Sequence, residues 1–272
     1  MKNILLTAAN SDIAKSLINL LLENKTGVEF NIFASYRKNL PESDKNFTPV
    51  VLDLCDKNSF FALEEKFKGI KFDTVVNFAG VAITSPVSSL NPDELKFQFD
   101  VSTIGLSRLL NFIHPYLKAD SKVINISSMA AFGVFPFISP YCSAKAAADI
   151  LLNAYEIETG IRCVSIKPGV VKTKFWEYCI NLNESNFKNF NGEYEKIGNF
   201  LLENAKKNAN KGVSPDDVAK VIFKAVNSKN PKHSYLIGFD AYMASFSRFI
   251  PKGILNKIIR YTLNQRVRKF QK

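Results

Sequence analysis

Tyr141 and Lys145 stand four residues apart, a spacing that puts them on one face if the segment is helical. A phenol beside an ammonium group is a chemical device: the positive charge favours phenolate and draws the tyrosine pKa from about 10 towards neutral pH. A tyrosine tuned in that way can donate or accept a proton in a reaction. The spacing is weak by itself, because nine Tyr in a chain with 36 Lys and Arg give such a pair by chance. Its setting adds weight. An apolar run at 122–126 reads as a buried strand and is followed by Ser127-Ser128, and an Ala-rich stretch at 144–154 reads as a helix. Ser128 would then lie at the carboxyl end of a strand, where open α/β sheets gather ligand-binding groups.

The rest of the chain supplies the elements that such a site needs. Strands are predicted at 2–7, 28–35, 50–54, 72–78, 122–126, 162–167 and 234–237. Helices are predicted at 14–23, 59–68, within 92–117 (apolar at Phe99, Leu106, Leu109, Leu110 and Ile113), after Tyr141, and from Ser214-Pro215. Strands alternating with helices imply an α/β fold: one doubly wound parallel sheet with helices on both faces. Between the first strand and helix, Ser11 or Asp12 suits a helix cap, and the helix dipole would face an anion there. Arg37 and Lys38 follow the second strand, where a base favours the 2′-phosphate of NADP over the free 2′-hydroxyl of NAD.

The segment 174–212 breaks the rhythm, with one or two short helices expected. Phe175, Trp176, Tyr178, Phe187, Phe190, Tyr194 and Phe200 could line an apolar substrate pocket or pack the insertion onto the body. Of the net charge of +11, +8 comes from 241–272, which holds no acidic residue, leaving +3 for the first 240. That placement excludes a nucleic-acid footprint over the whole protein. From residue 254 the tail sets Leu255, Ile258, Ile259, Leu263, Val267 and Phe270 against Lys257, Arg260, Gln265, Arg268 and Lys269. Such a basic amphipathic helix suits an anionic membrane surface or a partner, or packs on its own domain with a solvated face. Four scattered Cys read as reduced thiols of a cytoplasmic protein, two separated His make a metal site unlooked-for, and no run is long enough to span a membrane.

Ser128, Tyr141 and Lys145 in this order, with the flanking motifs, resemble the short-chain dehydrogenase/reductase family, near its retinol and hydroxysteroid dehydrogenase branch. The matching motifs are Asn77-Phe78-Ala79-Gly80, Tyr141-Cys142-Ser143-Ala144-Lys145 with Ser128 13 residues upstream, and Pro168-Gly169-Val170-Val171-Lys172-Thr173. The resemblance covers nearly the whole chain. It implies a Rossmann-like domain over 1–240, with 174–212 as a substrate lid and 241–272 as a basic C-terminal extension. It further implies catalysis by Ser128, Tyr141 and Lys145, with Ser102 in place of the family's relay Asn. Cofactor contacts are implied at Thr7, Ala9, Asn10, Asp12, Ile13, Arg37, Lys38, Asp53, Leu54, Asn77, Ala79 and Gly80, then at Tyr141, Lys145, Pro168, Gly169, Val171 and Thr173.

The implied activity is interconversion of a ketone and a secondary alcohol with NADP(H), or alternatively NAD(H), on a bulky apolar or lipid-linked substrate. A homodimer or homotetramer and a peripheral membrane contact through the tail accompany that reading. One departure supports a different class. The family's three loop glycines are Ala8, Asp12 and Ala14 here, so a weakly catalytic or inactive member serving as nucleotide sensor or scaffold is the alternative.

Overall fold

The computed structural model describes residues 1–24, 27–188 (the Lys188 side chain excepted), 190 and 194–270. Residues 189 and 191–193 of the insertion, and Lys272 of the basic tail, lie outside the described residues. Seven strands form one parallel sheet in the order β3-β2-β1-β4-β5-β6-β7. They are β1 (Lys2–Thr7), β2 (Phe30–Tyr36), β3 (Phe47–Val51), β4 (Phe72–Asn77), β5 (Leu117–Ile126), β6 (Arg162–Pro168) and β7 (Ser234–Ile237). Strand order reverses between β1 and β4, which opens a crevice beyond their carboxyl ends.

Alternate side chains of each strand go to opposite faces. On one face, Ile4, Leu6, Val76, Ile124 and Ile166 pack with Leu17 and Leu21 of α1 (Asp12–Leu22) and with Val218 and Ile222 of α9 (Pro215–Asn227). On the other face, Leu5 and Val75 meet Leu63 and Phe67 of α2 (Lys57–Phe67) and Leu109 and Ile113 of α4 (Gly105–Ile113). Val123 and Cys163 meet Ala148 and Leu152 of α5 (Ser139–Thr159). The doubly wound expectation therefore holds.

Several boundaries differ for identifiable reasons. β3 runs over Phe47–Val51 rather than 50–54, because this edge strand tolerates Pro49 in its ladder opposite Ala34. Leu52 and Leu54 are still buried, but in the loop before α2, and Asp53 thus falls just past the strand. The helix expected within 92–117 is broken. α3 (Pro92–Phe99) joins α4 through a π-helical turn, Asp100–Ile104, where Gly105 N–H donates to Asp100 O. Its last residue, Leu117, already belongs to β5.

β5 is longer than 122–126 because the exposed Lys118-Ala119-Asp120 stretch in its first half gives no apolar signal. Within 174–212 there are three helices among the described residues: α6 (Phe175–Leu182), α7 (Glu184–Lys188) and α8 (Glu195–Asn208). The chain ends with α10 (Phe239–Phe246) and α11 (Lys252–Phe270). Leu255, Ile259 and Leu263 of α11 are half-buried and Val267 is buried, while Ile258 is exposed. The Phe270 ring sits 5.8 Å from that of Phe200 on α8. The tail helix therefore packs on the insertion, and Ile258 does not belong to the packed side.

Candidate active site

Pro140 in the first turn of α5 starts that helix before Tyr141, so Tyr141 and Lys145 occupy successive turns on one side. Ser128 follows β5 in an extended conformation, with its Oγ accepting from Ala130 N–H at 3.1 Å. The Tyr141 phenol lies close enough to the Ser128 hydroxyl for the serine to favour its ionised form. Lys145 Nζ donates to Ile126 O at 2.9 Å and lies 5.8 Å from the centroid of the Tyr141 ring. A side chain at position 80 would crowd that ammonium, since a Cβ on Gly80 would fall 3.2 Å from Nζ. The end of β5 and the start of α5 thus converge three functional groups on one wall.

The electrostatics differ from the sequence expectation. Burial pushes the Tyr141 phenol well above its ordinary value; the Ser128 hydroxyl opposes this, and Lys145 is not among the influences. The phenol is therefore held protonated, rather than lowered towards phenolate by Lys145. Lys145 itself is buried, and desolvation lowers it to about 8 while Asp149, one helical turn on, acts to raise it. Asp149 is fixed in turn by Lys167 Nζ at 2.7 Å and by the Ser165 hydroxyl at 2.8 Å.

A cavity of about 560 Å³ runs along the crevice. At one end it is lined by Thr7, Asn10, Asp12, Ile13, Arg37, Asp53 and Leu54; at its centre by Ala79, Gly80, Ser128, Tyr141 and Lys145; and beyond them by Pro168, Gly169, Val171 and Thr173. Ala9, Lys38, Asn77 and Ser102 do not line it. Ala9 is fully buried behind the loop. The buried Asn77 instead ties strand ends together, accepting from Thr7 Oγ1 and donating to Asn125 Oδ1 at 2.8 Å. Ser102, in the π-helical turn, is buried and accepts through Oγ from Gln98 Nε2 at 3.0 Å.

The glycine-free first loop is built in a specific way. Ala8 takes φ +47°, the left-handed conformation usually left to glycine. Ser11, not Asp12, caps α1, accepting from Ala14 N–H at 3.3 Å. Asp12 turns to accept from Lys174 N–H at 2.7 Å, which ties the start of α1 to the loop after β6. Lys15 and Lys174 also line this end of the cavity.

Sequence reading did not single out these two lysines, nor Ser35 and Ser127. The hydroxyls of Ser35 and Ser127 are buried with no hydrogen-bond partner among the described residues, and both serines line the cavity. A hydroxyl inside an apolar strand, and a second Ser beside Ser128, were the available signals. At the other wall the insertion contributes Phe175, Trp176, Tyr178 and Phe187, while Phe190 and Tyr194 instead pack against Phe137, with centroids 5.7 Å away in each case. Phe200 does not line this cavity. Asn183 fastens the insertion down: it accepts from Thr84 N–H at 2.7 Å and donates to Ala82 O at 2.7 Å.

Residues 2–181 match the family model described as short chain dehydrogenase. The chain belongs to the short-chain dehydrogenase family. Among curated proteins it is similar to the 3-amino-tetrahydro-pyrrolizinone reductase of Xenorhabdus hominickii, 27% identical over 256 residues and 88% of each chain. It is likewise similar to the NADPH-dependent 3-dehydrocapnine reductase of Ornithobacterium rhinotracheale, 28% identical over 278 residues, covering 95% of this chain and 96% of that one. A short-chain dehydrogenase from Burkholderia cenocepacia J2315, solved in complex with NADP, shares the fold with a TM-score of 0.72 at 16% identity, covering 95% of this chain and 99% of that one.

Proposed function

We propose that the chain is an NADP(H)-dependent oxidoreductase that reduces a ketone, or oxidises the corresponding secondary alcohol, on a bulky apolar or lipid-linked substrate. The observation that carries this reading is the convergence of Ser128, Tyr141 and Lys145 on one wall of the crevice cavity. A dinucleotide fits the residues present. Ser35 and Ser127, whose buried hydroxyls lack partners among the described residues, line its path, the amino terminus of α1 offers backbone N–H groups, and Arg37, Lys15 and Lys174 offer positive charge. Arg37 at the β2 end supports NADP over NAD. When bound, the reduced nicotinamide supplies the hydride for the carbonyl carbon.

The chain's own residues do the remaining work. A substrate oxygen placed between Ser128 and Tyr141 receives a hydrogen bond from the serine hydroxyl and a proton from the phenol as negative charge develops. Because burial keeps Tyr141 protonated, the free protein stands in the state that reduction requires. Lys145 holds positive charge behind the phenol and presents donors to a cofactor ribose. Ser102 is the counterpart of the relay Asn, its place in a π-helical turn leaving the local carbonyl ladder altered. The aromatic wall from α6 and α7 supports an apolar substrate, and peripheral contact of the basic tail with a membrane belongs to the same reading.

Exposed Ile150 and Ile157, 71% and 76% accessible and two turns apart on α5, support a homo-oligomer. NADPH fluorescence titration tests the binding step. A shifted and quenched emission is expected, and its absence would favour the nucleotide-sensor or scaffold alternative, for which the left-handed Ala8 is the motivating feature.

A further inference from the structure

We infer that the outer face of α10 and the turn after it form a docking surface for an anionic lipid bilayer. Phe239, Tyr242, Met243 and Phe246 recur at the spacing of a single helix face, and all are exposed. Phe249 extends the run; Phe239 and Phe249 are 81% and 72% accessible. Five large apolar or aromatic side chains in eleven residues are far more than scattered surface hydrophobics.

The opposite side of the same element is anchored to the catalytic crevice. Ala241 and Ser245 are buried. Asp240 accepts from Val170 N–H at 2.6 Å, beneath a Gly169 whose Cβ, if present, would fall 1.9 Å from an Asp240 oxygen. Arg248 lies 5.7 Å from the Phe132 ring, in the turn that follows Ser128. A lipid surface meeting the outer face would therefore lie about one helix diameter, roughly 10 Å, from the loops that line the cavity.

Charge selects the occupant. Residues 241–272 carry eight basic and no acidic side chains. A second copy docked face to face would set like charges against each other, whereas an anionic headgroup layer neutralises them while the aromatic side chains enter the interface. This extends the proposed lipid-like substrate to a route of access, but its test does not depend on turnover.

The test is co-sedimentation of the full chain with vesicles of phosphatidylcholine alone or of equimolar phosphatidylcholine and phosphatidylglycerol. The expected result is about ten-fold stronger partition onto the anionic vesicles, falling as salt rises. Phe239→Ser with Phe246→Ser is expected to lower partition about ten-fold while circular dichroism, melting temperature and NADPH affinity stay unchanged. Lys252→Glu with Lys257→Glu is expected to abolish the preference for anionic lipid. Failure of the unsubstituted chain to bind phosphatidylglycerol vesicles would overturn the inference. So would equal binding by the doubly substituted Phe variant, or a fall in its oligomeric size, which would assign the face to a second copy.

Discussion

At the residue scale, burial decides the protonation of the two groups that matter most. Lys145 is an ammonium below about 8 and a neutral amine above it. Reduction needs the charge, so its rate is expected to be full below that pH and to fall above it. Asp149 acts to raise Lys145, so Asn at position 149 should move this alkaline limb to lower pH; an unmoved limb, read from a pH–rate profile or from the lysine side-chain amine resonance, would deny the link. Ala8 offers a second test. Its left-handed backbone costs about 1–2 kcal/mol for a residue with a Cβ, partly offset by the chain entropy that glycine adds to the unfolded state. Ala8→Gly should therefore raise stability by about 0.5–1 kcal/mol in urea unfolding. Ser128, Tyr141 and Lys145 were legible in the sequence because their spacing is local or set by one strand and one helix. The protonation of Tyr141 was not, because a pair of residue types carries no information on desolvation. Nor were the free hydroxyls of Ser35 and Ser127, since only the surrounding packing shows that they lack partners.

At the scale of elements, Asn183 is the fastening between the insertion and the loop after β4. Asn183→Ala would leave the buried Thr84 N–H and the half-buried Ala82 O without their present partner, a loss of about 1–3 kcal/mol. We expect a lowered melting temperature and, because α6 and α7 wall the cavity, a raised KM with a smaller change in kcat. An unchanged KM in a folded variant would show that the insertion does not shape substrate binding. Strands buried on both faces, such as β1 and β4, were readable as short apolar runs bounded by polar turns. β5 was cut short because Lys118-Ala119-Asp120 is solvent-facing, and β3 was shifted because Pro49 reads as a breaker although an edge strand tolerates it. The break in the helix expected within 92–117 ends at Gly105, where a Cβ would fall 2.9 Å from Leu54 Cβ and from Asp100 O. Such a contact between distant segments leaves no periodic trace.

Across the whole molecule, the doubly wound sheet was implied by the alternation of strands and helices, and the family by motifs spread along the chain. The fate of the tail was not. An amphipathic basic helix reads alike whether its apolar side meets lipid, a partner or α8, and only the packing of Val267 and Phe270 distinguishes the last. For α5, replacing Ile150 and Ile157 with Glu is expected to convert an oligomer to a smaller species in sedimentation velocity; a wild-type monomer would remove that part of the reading.

In the proposed reaction Tyr141 delivers the proton in an NADPH-dependent ketone reduction. That role is tested most directly by comparing the wild-type chain with Tyr141→Phe on a panel of hydrophobic ketones, with NADPH affinity measured alongside. Turnover by the wild type is expected, with a loss of about 10²–10⁴ in kcat for the variant at unchanged NADPH affinity. A variant that binds NADPH and keeps the wild-type rate would contradict it.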